Sequence, residues 1–386
     1  MLVPPLRFPG FTDEWKKKSM QDIAPLQRGF DLPTQNVENG NIPVVYSNGI
    51  LRNHSEGKCH GPGLVTGRSG TIGKFTFIDK GEYWPHNTSL WVTDFKDNYP
   101  KFIYYLYSTI KIEQYATGSG VPTLNRNDVH RHRTFIPSVT EQKRISEFLS
   151  LLDERIATQN KIIEDLKKLK SAIIDKVFCL PSEKQPNKRL DGFNGNWEIV
   201  KLSEICERIT DRNSDVKCNL VLTIAAKYGL VSQLDFFNKS VASENLSSYY
   251  VLKKGDFAYN KSYSGEYVWG AIKKLKYYEE GVLSPLYICF RPNQEIINLD
   301  FLAFYFESKK WHRGISEIAG EGARNHGLLN ISVIDFFNTI HRIPSLLEQS
   351  HIASLLQSYQ NKIYNEEKLL LHYQTQRKYL LSSMFI

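Results

Sequence analysis

The stretch Ile136-Pro137-Ser138-Val139-Thr140-Glu141-Gln142 is written a second time as Ile343-Pro344-Ser345-Leu346-Leu347-Glu348-Gln349. Each copy leads directly into a long segment with the apolar spacing of a helix. A motif that recurs at such a distance, with the same kind of element after it, indicates that one structural unit is present twice. The repeat therefore predicts a duplicated fold in which a globular part is followed by a long helix.

Other landmarks repeat in the same order upstream of this motif. Phe8–Trp15 has an echo in Leu190–Trp197, and Gly118-Ser119-Gly120 with Leu124-Asn125 is answered by Gly320-Glu321-Gly322 with Leu329-Asn330. The sequences between these landmarks have diverged and carry mainly strand and turn signals with short helices. Each half is therefore expected to be a mixed domain whose sheet topology the sequence leaves open.

The two long segments show the heptad spacing of a coiled coil. Steps of four and three residues connect Ile145, Leu149, Leu152, Ile156, Ile163, Leu166, Ile173 and Val177 in the first, and Ile352, Leu356, Tyr359, Ile363, Leu370, Tyr373, Leu380 and Met384 in the second. Gln159 and Lys170 interrupt the first stripe, and Glu366 and Arg377 interrupt the second at the same heptad positions. Matching interruptions favour a pair of helices packed in one fixed register, because polar core positions penalise slipped pairings. Two independent amphipathic helices, each covering its own domain, are the alternative.

These patterns predict an α+β fold of four parts. Residues 1–140 form a first mixed domain, 141–180 a first long helix, 181–344 a polar linker with a second mixed domain, and 345–386 a second long helix. The stripe from Glu141 to Phe178 would measure about 57 Å as helix at roughly 1.5 Å per residue, which is long enough to hold two domains apart.

Composition narrows the class of partner. The chain of 386 residues has a formal charge of +8, which favours a polyanionic partner, although basic proteins without one exist. Its 5 cysteines are scattered along the chain, and we expect them to be reduced thiols. No apolar run resembles a signal peptide or the roughly 20 residues of a membrane span, so we expect a cytoplasmic protein without membrane contact.

The order of parts, together with three motifs, resembles the specificity subunits of type I restriction-modification systems over essentially the whole chain. The motifs are Arg7–Trp15, Thr66–Gly73 and Ile136–Gln142. The resemblance implies two target-recognition domains joined by antiparallel helices with pseudo-two-fold symmetry, each domain reading one half of a bipartite site in double-stranded DNA. It also implies two methyltransferase (modification) subunits and two ATP-dependent restriction subunits as partners. S-adenosylmethionine, ATP and Mg would then belong to those partners, with no cofactor, metal or catalytic residue in this chain.

Candidate DNA contacts are polar and basic residues in turns that precede or follow the predicted strands. They are Arg68, Ser69, Asn125, Arg126, Arg131 and Arg133 in the first half, and Asn260, Lys261, Ser262, Tyr263, Arg324, Asn325 and His326 in the second. An ordinary hairpin turn at Arg68 and a solvated basic face at Arg131 and Arg133 are the alternatives.

Three other classes of protein compete with this interpretation. An enzyme would need a catalytic motif, but the sequence has no Asp/Asn-Pro-Pro-aromatic motif of amino-methyltransferases, and Gly70–Phe75 lacks the spacing of a phosphate-binding loop. A nuclease site assembled in three dimensions stays open. A coiled-coil interaction scaffold and a stand-alone DNA-binding repressor also stay open, since both use the same helices and basic surface.

Overall fold

Two short antiparallel ribbons precede the two long helices. In the computed structural model, Lys16–Ser19 pairs with Arg133–Ile136, and Glu198–Lys201 pairs with Ile340–Ile343. Each ribbon therefore ends at the Ile-Pro step of the repeated motif, where the proline cannot donate to a further ladder bond. The structure describes residues 3–118, 120–225, 228–237, 245–262, 267–320 and 327–386.

The chain divides into two compact units. Unit 1 comprises Met1–Lys161 and Lys368–Ile386, and unit 2 comprises Ile162–Glu367. Each unit thus contains one part of each long helix together with one mixed domain.

Unit 1 contains two four-stranded sheets and two ribbons. The strands are β1 (Lys16–Ser19), β2 (Leu26–Arg28), β3 (Ile42–Tyr46), β4 (Gly49–His54), β5 (Cys59–His60), β6 (Gly63–Gly67), β7 (Phe75–Ile78), β8 (Glu82–Pro85), β9 (Ser89–Val92), β10 (Ala116–Thr117), β11 (Thr123–Leu124) and β12 (Arg133–Ile136). The helices are α1 (Met20–Ile23), α2 (Pro100–Thr109), α3 (Arg126–Arg131) and the long α4 (Val139–Val177), which continues into unit 2. The sheets have the strand orders β2-β9-β6-β7 and β4-β3-β8-β5.

Unit 2 contains one four-stranded sheet and three ribbons among its described residues. The strands are β13 (Glu198–Lys201), β14 (Cys206–Arg208), β15 (Leu222–Ala225), β16 (Gly229–Ser232), β17 (Tyr250–Lys253), β18 (Phe257–Asn260), β19 (Ala271–Lys274), β20 (Glu280–Leu283), β21 (Ile288–Pro292) and β22 (Ile340–Ile343). The helices are α5 (Leu202–Ile205), α6 (Gln233–Phe237), α7 (Leu299–Glu307), α8 (His312–Ile318), α9 (Val333–Phe337) and the long α10 (Leu346–Ser383), which ends in unit 1.

The two units share the topology of one four-stranded sheet and of the elements that flank it. The sheet order β2-β9-β6-β7 of unit 1 corresponds, strand by strand along the chain, to β14-β21-β18-β19 of unit 2. In both units a ribbon strand and a four-residue helix precede this sheet, a helix follows it, and a second ribbon strand leads into a long helix. The predicted mixed α+β class and its internal duplication are confirmed, although the intervening sequences have diverged.

The repeated Glu-Gln motif ties each long helix to its domain. In unit 1, Glu141 and Gln142 are each only 1% exposed. The carboxylate of Glu141 accepts two hydrogen bonds from the guanidinium of Arg7, at 2.7 and 2.8 Å. The side chain of Gln142 accepts from the amide of Tyr99 at 2.9 Å and donates to Asn98 Oδ1 at 2.9 Å. The first turn of α4 is therefore fastened to the segment that begins α2.

Unit 2 repeats this arrangement with its own residues. Arg189 donates twice to the buried carboxylate of Glu348, at 2.9 and 2.7 Å. Gln349 accepts from the amide of Asn298 at 2.8 Å and donates to the carbonyl of Ile296 at 3.1 Å. Since Asn298 caps α7, the buried glutamine fixes the same junction in both units.

The long helices run antiparallel within each unit. In unit 1 the beginning of α4 and the end of α10 share one core, in which Phe385 stacks on Phe102 at 5.3 Å between ring centroids. In unit 2 the end of α4 and the beginning of α10 share a core in which Phe178 packs against Phe301 at 5.2 Å. None of the sixteen apolar heptad residues is exposed.

The polar interruptions of the heptads make specific contacts. Arg377 on α10 donates to Asp153 on α4 at 2.5 Å in unit 1. In unit 2, Lys170 on α4 donates to Gln360 on α10 at 2.8 Å and to Glu307 on α7 at 2.7 Å. Lys170 is 8% exposed, so this ammonium lies within the packed interface and needs those acceptors.

Candidate nucleic-acid interface

The predicted turn at Arg68 lies between β6 and β7 of unit 1. It begins at Gly67, where a Cβ atom would lie 1.7 Å from the carbonyl oxygen of Thr71, so only glycine fits this close approach. The backbone amides of Arg68 and Ser69 both donate to the carbonyl of Thr88, at 2.8 and 3.3 Å. The turn is therefore fixed through its main chain, while the side chains of Arg68 and Ser69 are half-buried.

A second predicted segment lies directly against this turn. The amide of Leu124 donates to the carbonyl of Arg68 at 2.7 Å, and Ser69 forms a β-bridge with Thr123. Asn125 and Arg126 follow at the start of α3, and both are exposed. The side-chain oxygen of Asn125 accepts from the amide of Asn127 at 3.0 Å and so caps α3. The structure thus brings Arg68 and Ser69 together with Asn125 and Arg126, which the sequence places far apart.

The run His130-Arg131-His132-Arg133 divides into two kinds of residue. Arg131, on α3, is exposed and forms an ion pair with Asp128. Arg133 is exposed on β12. These two cations therefore face solvent beside the ribbon, and no contact in the described chain joins them to the turn at Arg68.

The histidines of the same run have structural contacts. His130 Nε2 accepts from the amide of Leu26 at 2.8 Å, and His132 Nδ1 pairs with the hydroxyl of Tyr115 at 2.8 Å. Burial lowers the pKa of both imidazoles. They therefore pack as neutral groups. The sequence, in which four hydrogen-bond donor residues follow one another, did not indicate this packing.

Unit 2 places its predicted residues at the corresponding turn. Asn260 ends β18, and its side-chain oxygen accepts from the amide of Ser262 at 3.0 Å. The carbonyl of Lys261 accepts from the amide of Leu329 at 3.0 Å. Lys261 is half-buried and Ser262 is exposed. The predicted residues Tyr263, Arg324, Asn325 and His326 lie outside the described residues.

The same main-chain bond therefore occurs in both units. Leu124 donates to Arg68, and Leu329 donates to Lys261. Each acceptor is the first residue after a central strand, and each donor belongs to the repeated Leu-Asn step. Each unit thus presents one cationic side chain at the same topological position.

Several polar residues near the Arg68 turn were not anticipated. Lys74 donates from its ammonium to the carbonyl of Asn48, at the tip of the β3–β4 hairpin, at 3.0 Å. His86 pairs with Thr88 Oγ1 at 2.9 Å and lies against Tyr46, with 4.3 Å between ring centroids. Because these residues are distant from Arg68 in sequence, the sequence alone did not indicate that they lie near it. The Asn48-Gly49 dipeptide, which is typical of a hairpin turn, was the only local indication of the hairpin.

Metal chemistry and membrane insertion find no support in the described parts of the chain. No group of three or more His, Cys, Asp or Glu side chains could hold a metal ion there. The five cysteines are buried and form no disulfide. No described helix has the length and apolar character needed to cross a membrane.

Comparison with known proteins identifies one domain of the chain. Residues 12–168 match the family model described as type I restriction modification DNA specificity domain. This part of the chain therefore carries a domain of that family.

One curated relative of this chain is the type I restriction enzyme MjaVIII specificity subunit of Methanocaldococcus jannaschii. It is 25% identical over 289 residues, which cover 68% of this chain and 65% of the relative. The chain thus spans just under two thirds of the length of that relative.

Two solved structures share the fold. The type I restriction-modification system S subunit from M. genitalium superposes with a TM-score of 0.61 at 17% identity, covering 100% of this chain and 99% of that one. A chain from a study of complex assembly and conformational transition of the type I R-M system gives a TM-score of 0.56 at 13% identity, covering 96% of this chain and 97% of that one.

Proposed function

We propose that this chain is the specificity subunit of a type I restriction-modification system. It recognises a bipartite sequence in double-stranded DNA, with unit 1 reading one half and unit 2 the other. The observation that carries the proposal is the duplicated turn, in which Arg68 and Lys261 follow equivalent strands and accept the equivalent bond from Leu124 and Leu329. A duplicated scaffold with different side chains at the same position is what two different half-sites require.

The chemistry of these turns suits DNA. Arginine and lysine bind phosphate oxygens and also pair with the acceptor edge of guanine in the major groove. Ser69, Asn125 and Arg126 beside Arg68, and Asn260 and Ser262 beside Lys261, add donors and acceptors for phosphate or base contacts. Because the main chain of each turn is held by strand and loop hydrogen bonds, little conformational entropy remains to be lost on binding.

The remaining predicted residues complete the proposed surfaces. Arg131 and Arg133 would add phosphate contacts beside unit 1, because both are exposed cations near the start of α4. Tyr263, Arg324, Asn325 and His326 stay candidates for unit 2. The four-part division at residues 140, 180 and 344 stays the proposed assignment of recognition domains and spacer helices.

The proposed partners are two methyltransferase (modification) subunits and two ATP-dependent restriction subunits. This chain would supply only sequence recognition, while S-adenosylmethionine, ATP and Mg would be bound by those partners. The long helices α4 and α10 would determine the unread spacing between half-sites, and the cytoplasm would be the compartment in which the assembly meets DNA.

The test is to co-express the chain with the methyltransferase subunit of its own system in a host free of adenine methylation, and to sequence the genome with detection of modified adenines. We expect a split motif that appears only when this chain is present. Absence of a motif, with the same methyltransferase active beside another specificity subunit, would contradict the proposal. That result would favour the scaffold or repressor function.

A further inference from the structure

The strand β4 of unit 1 is exposed on both of its faces. It is the outer strand of the sheet β4-β3-β8-β5, and four successive side chains, Ile50, Leu51, Arg52 and Asn53, are exposed. Successive side chains of a strand point to opposite faces, so four exposed residues in a row mean that neither face is covered. Ile50 is 50% exposed and Leu51 is 58% exposed, which is unusual for large apolar residues on one short strand.

A β-bulge sets this exposure. Val45 pairs with Ile50 and Val44 pairs with Arg52, which leaves Leu51 as the extra residue on β4. A bulge bends its strand, increases the local twist and redirects side chains, and bulges are enriched near functional sites. The bulge here leaves Leu51 without a partner on β3, while Arg52 stays paired with Val44.

The tip of the same hairpin touches the turn that carries Arg68. Lys74, at the end of that turn, donates to the carbonyl of Asn48 at 3.0 Å. A Cβ atom on Gly70 would lie 3.9 Å from Ser47 Oγ, so the two loops are in van der Waals proximity. The exposed strand is therefore continuous with the surface to which the proposed function assigns DNA.

Unit 2 has no such exposed hairpin strand among its described residues. Its corresponding hairpin consists of β15 and β16, and no residue of β16, the counterpart of β4, is exposed. A feature that is present in one unit and absent from the other cannot serve the shared scaffold. It is suited to a task that differs between the two half-sites.

We propose that β4 is a second DNA-reading element of unit 1, which enters a groove of the duplex beside the Arg68 turn. A two-stranded ribbon fits the major groove, where arginine and asparagine pair with guanine and adenine edges and apolar side chains contact the thymine methyl group. Arg52 on the strand, together with Lys74 and Arg68 on the turn beside the hairpin tip, gives this surface the positive charge that complements phosphate. The inference rests on the proposed function, because it adds specificity-determining residues to the same surface.

A structural alternative exists for the same features. Edge strands are commonly protected against pairing with other chains by a charged residue or a bulge. If Arg52 and the bulge serve only this purpose, removal of the arginine would leave DNA recognition unchanged.

The experiment uses the full chain with its methyltransferase and measures the methylated motif and the methylation rate at cognate sites. The variants are Arg52→Ala, Asn53→Ala, Arg68→Ala and Lys261→Ala. Lys80→Ala is the matched control, because Lys80 is an exposed cation after β7, at the opposite end of that strand from the Arg68 turn. Circular dichroism and gel filtration establish that each variant is folded.

We expect Arg52→Ala to slow methylation of cognate sites by roughly 10-fold or more, the loss typical of one base-reading contact. The base positions at which specificity is relaxed should lie in the half-site that Arg68→Ala affects, and not in the half-site that Lys261→Ala affects. Lys80→Ala should leave both halves within about 2-fold of the parent, as for surface changes away from a site.

Two results would overturn the inference while the proposed function stands. One is an unchanged motif and rate for both Arg52→Ala and Asn53→Ala; the other is an equal loss at both half-sites in folded protein. If the parent chain directs no split motif at all, the proposed function itself fails, and the role of β4 falls with it.

Discussion

Asp153 on α4 and Arg377 on α10 form an ion pair in unit 1, with 2.5 Å between the carboxylate and the guanidinium Nε. The hydroxyl of Tyr105 also donates to this carboxylate, at 2.9 Å. At the corresponding heptad positions of unit 2, Lys170 donates to the neutral Gln360 and takes its counter-charge from Glu307. The equivalent polar layer between the long helices therefore has different residue partners in the two units.

We predict that Asp153→Ala destabilises the protein by about 2 kcal/mol, because it leaves the partly buried Arg377 guanidinium without its carboxylate and the Tyr105 hydroxyl with Ser150 as its remaining partner. Thermal and urea unfolding of Asp153→Ala, Arg377→Ala and the double variant would measure the coupling. The double variant should be less destabilised than the sum of the singles. Lys168→Ala, which removes an exposed ion pair with Glu164, is the control and should leave stability close to that of the parent protein. Additive single and double effects would show that the pair is not coupled.

We predict that Gln142→Ala and Gln349→Ala each cost about 1–3 kcal/mol, because each leaves a partly buried amide donor without its acceptor. Tyr99 loses its acceptor in the first variant and Asn298 in the second. Urea unfolding would measure the loss, with the exposed neighbour Lys143→Ala as control. A change no larger than that of the control would show that the glutamine does not fasten the long helix to its domain.

We predict that stability falls as the pH drops below about 6.5, partly through His341. Burial lowers the pKa of this imidazole to about 4 in the folded state. The unfolded chain takes up a proton near its usual pKa of about 6.5, so between these values unfolding binds one more proton. The stabilising contribution of neutral His341 is complete above about pH 6.5. Between about pH 6.5 and the folded-state pKa of about 4, it decreases by about 1.4 kcal/mol for each pH unit.

The measurement is the free energy of unfolding of the parent and of His341→Asn at pH 7, 6 and 5. The parent should lose stability more steeply than the variant over this range. Parallel curves would mean that His341 binds its proton equally well in both states. The contacts of His341 with Tyr305 and Thr339, at 2.9 and 2.8 Å, are consistent with a neutral imidazole that donates at one nitrogen and accepts at the other.

We predict that Arg68→Ala and Lys261→Ala impair opposite halves of the target, each by about 1–3 kcal/mol if the side chain reads a base. A phosphate contact would instead weaken binding to all sequences and reduce its salt dependence. Competition binding of the complete methyltransferase complex to duplexes with one scrambled half-site, at two salt concentrations, separates the two cases. Loss of the same half in both variants would contradict the assignment of one half-site to each unit.

The heptad pattern and the repeated motif predicted the long helices and the duplication, because both depend on residues that are close in sequence. The role of Glu141 and Gln142 was different. Their repetition marked them as important for the family resemblance, yet their burial against Arg7 and Tyr99 depends on a domain surface formed by distant residues. The same reason explains why the two histidines of the 130–133 run pack inward while the two arginines face solvent.

The sequence by itself determined that the chain is a duplication of a mixed domain and a long helix, and that its motifs resemble those of type I specificity subunits. These properties are local, because periodicity, turn residues and short motifs are set by neighbours along the chain. Only the tertiary structure decided that Arg68 meets Leu124, that Lys74 meets Asn48, and that β4 projects with both faces exposed. Such contacts join residues many positions apart, and their positions follow from how strands pair and pack, which no single stretch of sequence encodes.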